Sequence, residues 1–498
     1  MNFPVVSVEV LVQLTPLLVM VLAGCVFLMW GTVSRALTRA QQTVAILFHL
    51  GLLGLVGYLW GTPAWPVLGG MVIVDKFALF FTAIFTVCSL ATILISGGYM
   101  NRFGIGRAEW VAMLFFAISG MFVLVSAYNL IAVFIGIELM SMPIYVMVAS
   151  HRRDFLANEA AMKYFLLGAF AIAFFLYGMS LLYGLLGTLN FKGMLMEIAD
   201  RGLAKYPPFL LGVGLIMVGF VFKVAAVPFH MWVPDVYQGA PSPVTGFMAS
   251  AVKAASFAAF LRLFYMAFMP GRAHWVGIVI VLAILTMTIG NITALVQRNI
   301  KRMLAYSSIA HAGYILIGMA AIRLDSTAAA ASVMFYTMTY SIMTIGTFAL
   351  VSAMERRGDT RGLEINDYAG LGLRRPFLGF AMALFMFALA GIPPTAGFFA
   401  KYYVFSAAVS KGLVWLVVLG VLNSALSLYY YLRVVVVMYM KKAEDDVPVY
   451  DDLGIRIVLV FAVIAVIWLG LGPSGVIPGI DSILEWTNQS LLPIVRLK

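Results

Sequence analysis

Charge is the scarcest commodity in this chain. Only 11% of its 498 residues are Asp, Glu, Lys or Arg, while 63% are hydrophobic and the mean hydropathy is +1.02, a balance that excludes a soluble globular protein of this length. Cysteine is rarer still. Cys25 and Cys88 are the whole supply, which rules out four-thiolate zinc or iron–sulfur sites and implies no disulfide framework. Both lie in apolar segments and read as buried packing residues. No Lys or Arg precedes Arg35, and the first apolar run is too long for the core of a secretory signal, so it reads as a retained first helix. A nucleotide fingerprint is missing too, because FGIGR at 103–107 follows no strand of a βαβ unit. The net charge of +11 comes from short basic clusters between apolar runs, which orient a membrane protein and offer no nucleic-acid surface.

What the chain has in abundance is long apolar sequence. Runs of about 20 residues recur fourteen times, from near 10–30 to near 455–472, and predict an all-α polytopic membrane protein with about 14 transmembrane helices. Numbered in order, the odd loops carry twice as many Lys and Arg as the even loops and tails, which places the odd loops in the cytoplasm and both termini outside. An even number of spans makes the same demand on the termini.

Two segments interrupt the helical pattern: 222–243, with Pro228, Pro234, Pro241 and Pro243, and 389–401, with Gly391, Pro393, Pro394 and Gly397. The breaks fall in spans seven and twelve, matching places in two five-helix units, helices 4–8 and 9–13. An odd number of helices per unit forces the second copy to enter from the opposite side, giving two inverted five-helix repeats as in many transporters. Hydropathy alone carries this symmetry, since no residue-level repeat is visible. The expected division is an N-terminal three-helix segment (1–108), a first repeat (109–268), a second repeat (269–440), and helix 14 with its tail (441–498).

The few charges inside these spans carry the functional signal. Lys223 stands in FLLGVGLIMVGFVFKVAAVPF just before the first break, and Lys401 accompanies the second. A charge at bilayer depth costs roughly 2.5–3.5 kcal/mol, and broken helices are tolerated there where the freed backbone is sheltered or lines a wet cavity. Glu138 lies mid-span five residues before Pro143, Lys253 lies mid-span among Ala and Ser, and His311 follows Tyr306, Ser307 and Ser308. These five titratable groups occupy separate helices near the midplane. Burial disfavours the charged form of an amine and a neighbouring carboxylate favours it, so moving or neutralising the carboxylate switches a lysine between holding and releasing a proton. The expectation is a relay in which Glu138 modulates Lys223, Lys223 exchanges protons with Lys253, and the path continues past His311 to Lys401.

Blander readings stand beside this one. A buried Glu–Lys pair can be structural, and a histidine among hydroxyls is often a satisfied core residue. Lys163 with Glu159 four residues before it can be a snorkelling surface pair. His230 and Asp235 flank the first break and suit capping as well as proton exchange. Arg262 and Arg433 lie toward helix ends and read as snorkelling.

The run FKVAAVPFHMWVPDVYQGAPSPVTGFMASAVKAASF, the second break GIPPTAGFFAKYYVF and the run NEAAMKYFLLGAF resemble the antiporter-like membrane subunits of respiratory complex I. The resemblance covers the chain from the fourth helix on and is most specific between Lys223 and Lys253. It implies a proton-translocating subunit of the membrane arm of an NADH:quinone oxidoreductase in the bacterial inner membrane. Glu138, Lys223, Lys253 and Lys401 stand at its channel positions. Lysine at the last of these differs from subunit M of the family, where glutamate is usual. No counterpart of subunit L's C-terminal lateral helix is expected. NADH, FMN, iron–sulfur clusters and quinone would belong to other subunits, and this chain would carry no redox centre or metal. Expected partners are other membrane-arm subunits, including subunit M and small membrane subunits, together with lipid. The nearest alternative is a subunit of a multi-chain cation/proton antiporter or membrane-bound hydrogenase, which shares the helix plan. A membrane scaffold without transport and a quinone-binding redox enzyme are more distant readings.

Overall fold

The computed structural model describes residues 8–34, 37–323, 326–356, 362–442 and 448–471. Arg35, Arg357, Arg361, Arg496 and Lys498, which contribute to the charge asymmetry, and the tail beyond 471 lie outside the described residues.

Each of the fourteen expected spans is helical. The first three are α1 (Val8–Val33), α2 (Arg39–Leu59) and α3 (Lys76–Phe103), with a small antiparallel pair, β1 (Pro66–Val67) and β2 (Val72–Ile73), before α3. Next come α4 (Ala108–Ser126), α5 (Leu130–Val148), α6 (Phe155–Leu186) and a short amphipathic helix, α7 (Phe191–Asp200). The seventh span is split into α8 (Pro207–Val224) and α9 (Trp232–Gly239). The eighth consists of α10 (Ser242–Phe247), a π-helical turn Met248–Val252 and α11 (Lys253–Met266). Spans nine to eleven are α12 (Arg272–Leu295), α13 (Ile300–Ala320) and α14 (Ala328–Met354). After a short α15 (Leu371–Arg374), the twelfth span is split into α16 (Pro376–Ala390) and α17 (Ala396–Ser410), and α18 (Val414–Met440) and α19 (Leu453–Leu471) complete the set. Among the described residues thirteen helices are long and apolar enough to cross a membrane, and α16 with α17 makes up the remaining span.

The repeat is marked at residue level once the helices are packed. Gly120 of α4 abuts the backbone of Met140 on α5, and Gly290 of α12 abuts Ala310 on α13, the same spacing in both units. Neither glycine leaves room for a Cβ, and such small residues let apolar helices approach closely in lipid. The caps obey the same register. Asn129 caps α5 by accepting the Ile131 N–H (2.8 Å), and Asn299 caps α13 by accepting that of Lys301 (3.0 Å). The next N–H in each case joins a returning loop, Leu130 to the Leu189 carbonyl (3.0 Å) and Ile300 to that of Leu363 (2.7 Å). In this register Ser308 falls where Glu138 lies, and His311 where Ser141 lies.

Two sequence expectations about arginines are corrected. Arg262 does not snorkel: it is fully buried on α11 and ion-paired with the equally buried Asp75, which also caps α3 by accepting the Ala78 N–H (2.9 Å). An arginine with a carboxylate partner and an acceptor in the Val125 carbonyl (2.5 Å) has no need to reach for the interface. Arg433 donates to the Leu295 carbonyl (3.1 Å) and to that of Gln297, closing the C-terminal end of α12. Cys88 is buried as expected, whereas Cys25 faces outward on α1.

Candidate functional site

The two breaks place the lysines. In the first, α8 ends at Val224 and Ala225 turns into the left-handed region at φ 65°; a linker containing the cis Val227–Pro228 bond leads to α9. In the second, α16 ends at Ala390, Gly391 takes φ 87°, and the cis Pro393–Pro394 bond precedes α17. Freed backbone groups find partners. The Trp232 indole donates to the Phe222 carbonyl (3.2 Å), and the Val227 N–H donates to Thr286 Oγ1 on α12 (3.0 Å). Pro234 does not break the helix as expected. It occupies the first turn of α9, where a missing N–H leaves no intrahelical bond unmade.

Lys223 is buried on the last turn of α8, and its Nζ donates to Ser141 Oγ on α5 at 2.7 Å. The rings of Tyr145, Tyr164 and Phe222 surround the ammonium at 5.5–5.7 Å. Glu138 is half-buried one helical turn before Ser141, so the two share a face of α5. It makes no direct ion pair with Lys223 among the described residues.

Lys253 directly follows the π-helical turn. Its Nζ donates to the carbonyl and to the hydroxyl of Ser308 on α13, both at 2.5 Å, with the Tyr340 ring at 5.7 Å. Such π turns recur at functional sites because they re-aim a side chain without ending the helix. One turn further along α13, His311 is buried with Nδ1 2.8 Å from the Tyr336 hydroxyl and Nε2 3.2 Å from that of Tyr431. The Tyr431 hydroxyl also pairs with Ser307. Tyr314 lies beyond, its ring 5.8 Å from the imidazole and 4.8 Å from Lys401 Nζ. Lys401 itself sits on α17 and turns back across the break, donating to the Ala390 carbonyl (2.8 Å) and to Ser424 Oγ on α18 (2.7 Å). Gly391 makes this possible, since a Cβ there would come within 3.0 Å of Lys401 Cδ.

The structure thus brings Lys253, His311 and Lys401 into one cluster, through the Tyr340 ring, 5.7 Å from Lys253 Nζ and 4.8 Å from the imidazole, and through Tyr314. Lys223 stands apart. Rings join it to the cluster: Tyr164 stacks on Trp232 at 4.4 Å, Trp232 meets Tyr237 edge-on at 6.5 Å, and the Tyr237 hydroxyl lies 3.4 Å from Ser308 Oγ. Among the accessory candidates, Lys163 pairs with Glu159 (2.7 Å) and with Asp235 (2.6 Å), and Arg302 from α13 holds the other oxygen of Asp235 (2.8 Å). This partly exposed cluster links the two repeats at one end of the bundle. His230 lies in the linker between α8 and α9, where its carbonyl accepts the Val233 N–H (3.0 Å).

Sequence reasoning missed several of these partners. Ser141 was legible three residues after Glu138; Tyr314, Tyr336, Tyr431 and Ser424 carried no signal apart from the fold. Lys301, which falls in the loop before the expected tenth span, is fully buried, donating to the Ala240 carbonyl (2.6 Å) and lying 3.3 Å from Glu355 Oε1, whose other oxygen accepts the Tyr99 hydroxyl (2.9 Å).

A family model described as NADH:quinone oxidoreductase/Mrp antiporter, TM, matches residues 127–427. The chain is 45% identical to NADH-quinone oxidoreductase subunit N of Trichlorobacter lovleyi, over 91% of this chain and 92% of that one. It is 41% identical to NADH-quinone oxidoreductase subunit N of Rhodospirillum rubrum, over 94% and 96%. Among solved structures it is similar to a chain of respiratory complex I from Thermus thermophilus with bound aureothin, at a TM-score of 0.79 and 33% identity over 93% of this chain and 99% of that one. A chain of the Mrp complex from a Dietzia species matches at a TM-score of 0.85 but 18% identity, over 99% and 98%, a likeness of fold alone.

Proposed function

This chain belongs to the NADH:quinone oxidoreductase/Mrp antiporter membrane family, within it to the subunit N group, and we propose on that premise that Glu138, Lys223, Lys253, His311 and Lys401 form its proton relay. The protein is a membrane-arm subunit of a proton-translocating NADH:quinone oxidoreductase and works beside other membrane subunits of that complex. The subunit N relatives at 41–45% identity favour this reading over the alternative, a subunit of a multi-chain cation/proton antiporter or membrane-bound hydrogenase.

One observation carries the relay: three amines and an imidazole are buried on four different spans, each hydrogen-bonded to a hydroxyl. A purely structural core would pair buried charge with opposite charge, as Asp75 and Arg262 do. Hydroxyl partners instead accept from an ammonium and can donate to a neutral amine, so each lysine can change protonation without leaving its partner unsatisfied. Glu138 sets the proton affinity of Lys223 by its own charge. The proton passes from Lys223 along the stretch lined by Tyr164 and Tyr237, carried there by water, to Lys253, then by way of His311 to Lys401. Lys163, Glu159, His230 and Asp235 act at the margin, holding the ends of the broken seventh span.

The finer location belongs to the same reading: the bacterial inner membrane, odd loops in the cytoplasm and both termini outside. NADH, FMN, iron–sulfur clusters and quinone are assigned to other subunits, in keeping with only two cysteines here. NADH-driven proton uptake into inverted membrane vesicles tests the relay. Lys223→Ala and Glu138→Ala each collapse uptake while the assembled complex is retained; undiminished uptake in both variants would end the proposal.

A further inference from the structure

Apart from the relay, a cavity of about 830 Å³ opens at the end of the bundle where α3 and α5 finish and α4 and α6 begin. Its polar side carries Arg107, Arg152 and Arg153, all exposed. None of the three has a side-chain hydrogen bond or ion pair among the described residues. The N-terminus of α4 faces the same space, with Arg107 at the cap position and no side chain capping it. Trp110 also lines the cavity: only 5% of the residue is exposed, and its indole N–H has no partner. An unpartnered donor at that depth costs free energy unless something accepts from it. Acidic residues do not fill the role. Glu109 also lines the cavity, in the first turn of α4, and its buried Oε2 has no hydrogen-bond partner, Trp110 included; Asp154 lies 3.5 Å from His151. Apolar lining comes from Phe103, Met113, Val146 and Met147, and Val146 continues into an exposed apolar strip of α5 with Met142.

We propose that this cavity binds the phosphate headgroup of an anionic phospholipid, with the acyl chains lying along Val146 and Met142. The unpartnered donors, a helix N-terminus and basic side chains at a membrane boundary suit a phosphate, and the apolar wall distinguishes a phospholipid from a free anion. The site goes beyond the proton relay and does not depend on it.

The experiment uses the detergent-purified complex, stripped of lipid, with three probes: short-chain phosphatidylglycerol, short-chain phosphatidylcholine and inorganic phosphate. Binding is read from the rise of the unfolding midpoint with ligand concentration. Phosphatidylglycerol is expected to bind tightest. In the triple variant Arg107→Ala, Arg152→Ala, Arg153→Ala its affinity falls about a hundredfold, at about one kcal/mol per basic residue. These arginines make no side-chain hydrogen bond or ion pair among the described residues, and an unchanged unfolding midpoint of the lipid-free triple variant checks that it folds. Trp110→Phe, which keeps the ring and removes the donor, weakens binding about fivefold. Equal binding of phosphatidylcholine or of inorganic phosphate, or an unchanged affinity in the triple variant, would overturn the proposal.

Discussion

The two broken spans share a design but not their chemistry. Lys223 precedes its break and reaches forward to Ser141 on a neighbouring helix, where Glu138 lies one turn away on the same face. Lys401 follows its break and reaches back to the carbonyl that the break sets free, with Ser424 as its second partner. In the register set by the paired glycines and asparagines, the place of Glu138 is taken in the second repeat by Ser308 and the place of Ser141 by His311. On the proposed relay, one half therefore has a carboxylate at this place and the other a neutral hydroxyl, followed by an imidazole that can take up and release a proton. The two halves share a scaffold, but only the first carries a carboxylate at this place.

The strongest way to break that comparison is at the lysine and acid of the first repeat. Lys223→Met removes a proton carrier, for which a positioned acid or base is worth on the order of a hundredfold. NADH-driven uptake in inverted vesicles should fall about tenfold or more, and Glu138→Gln should follow closely. Ser308→Ala, at the matching place in the second repeat, should cost only a few-fold, because Lys253 keeps the Ser308 carbonyl (2.5 Å) as acceptor. Equal losses in Glu138→Gln and Ser308→Ala would erase the asymmetry.

A second contrast is conformational. The left-handed turn is made by Ala225 in the first break and by Gly391 in the second. A residue with a Cβ loses about 1–2 kcal/mol there, and at 391 the Cβ would also press on Lys401. Gly391→Ala should therefore destabilise by about 1–2 kcal/mol or more, while Ala225→Gly should gain about 0.5 kcal/mol after the entropy of glycine is deducted. Unfolding midpoints of the purified complex measure both, and shifts of the same sign would show that the breaks are held by different forces.

The hydropathy pattern already told most of the fold, because a bilayer demands long apolar helices and makes every embedded charge conspicuous. Lys223, Lys253 and Lys401 stood out for that reason, and so did Glu138. Polar groups with no charge raise no such alarm: Tyr314, Tyr336 and Tyr431 resemble any membrane tyrosine until α13, α14 and α18 are packed together. The repeat was hidden for a similar reason. Two glycines and two asparagines at matched places are too few to see in a string of letters, but each governs a helix crossing or a cap. Arg262 and Lys301 were misplaced because their partners, Asp75 and Glu355, are far away in sequence.

The smallest effect is expected at Lys163, which belongs to the first repeat alone. Its carboxylate partner Asp235 is also held by Arg302 of the second repeat at 2.8 Å, and that arginine bonds Gln238 at 2.9 Å as well. Lys163→Gln leaves Asp235 paired, and a half-exposed ion pair contributes at most about 0.2–1 kcal/mol. Stability and proton uptake should both stay close to the unaltered protein, while Arg302→Gln, which also breaks the link between the two repeats at Asp235 and Gln238, should lower the unfolding midpoint more. A collapse of uptake in Lys163→Gln as deep as in Lys223→Met would move Lys163 from the margin into the relay and extend the acid-controlled half to the surface of the bundle.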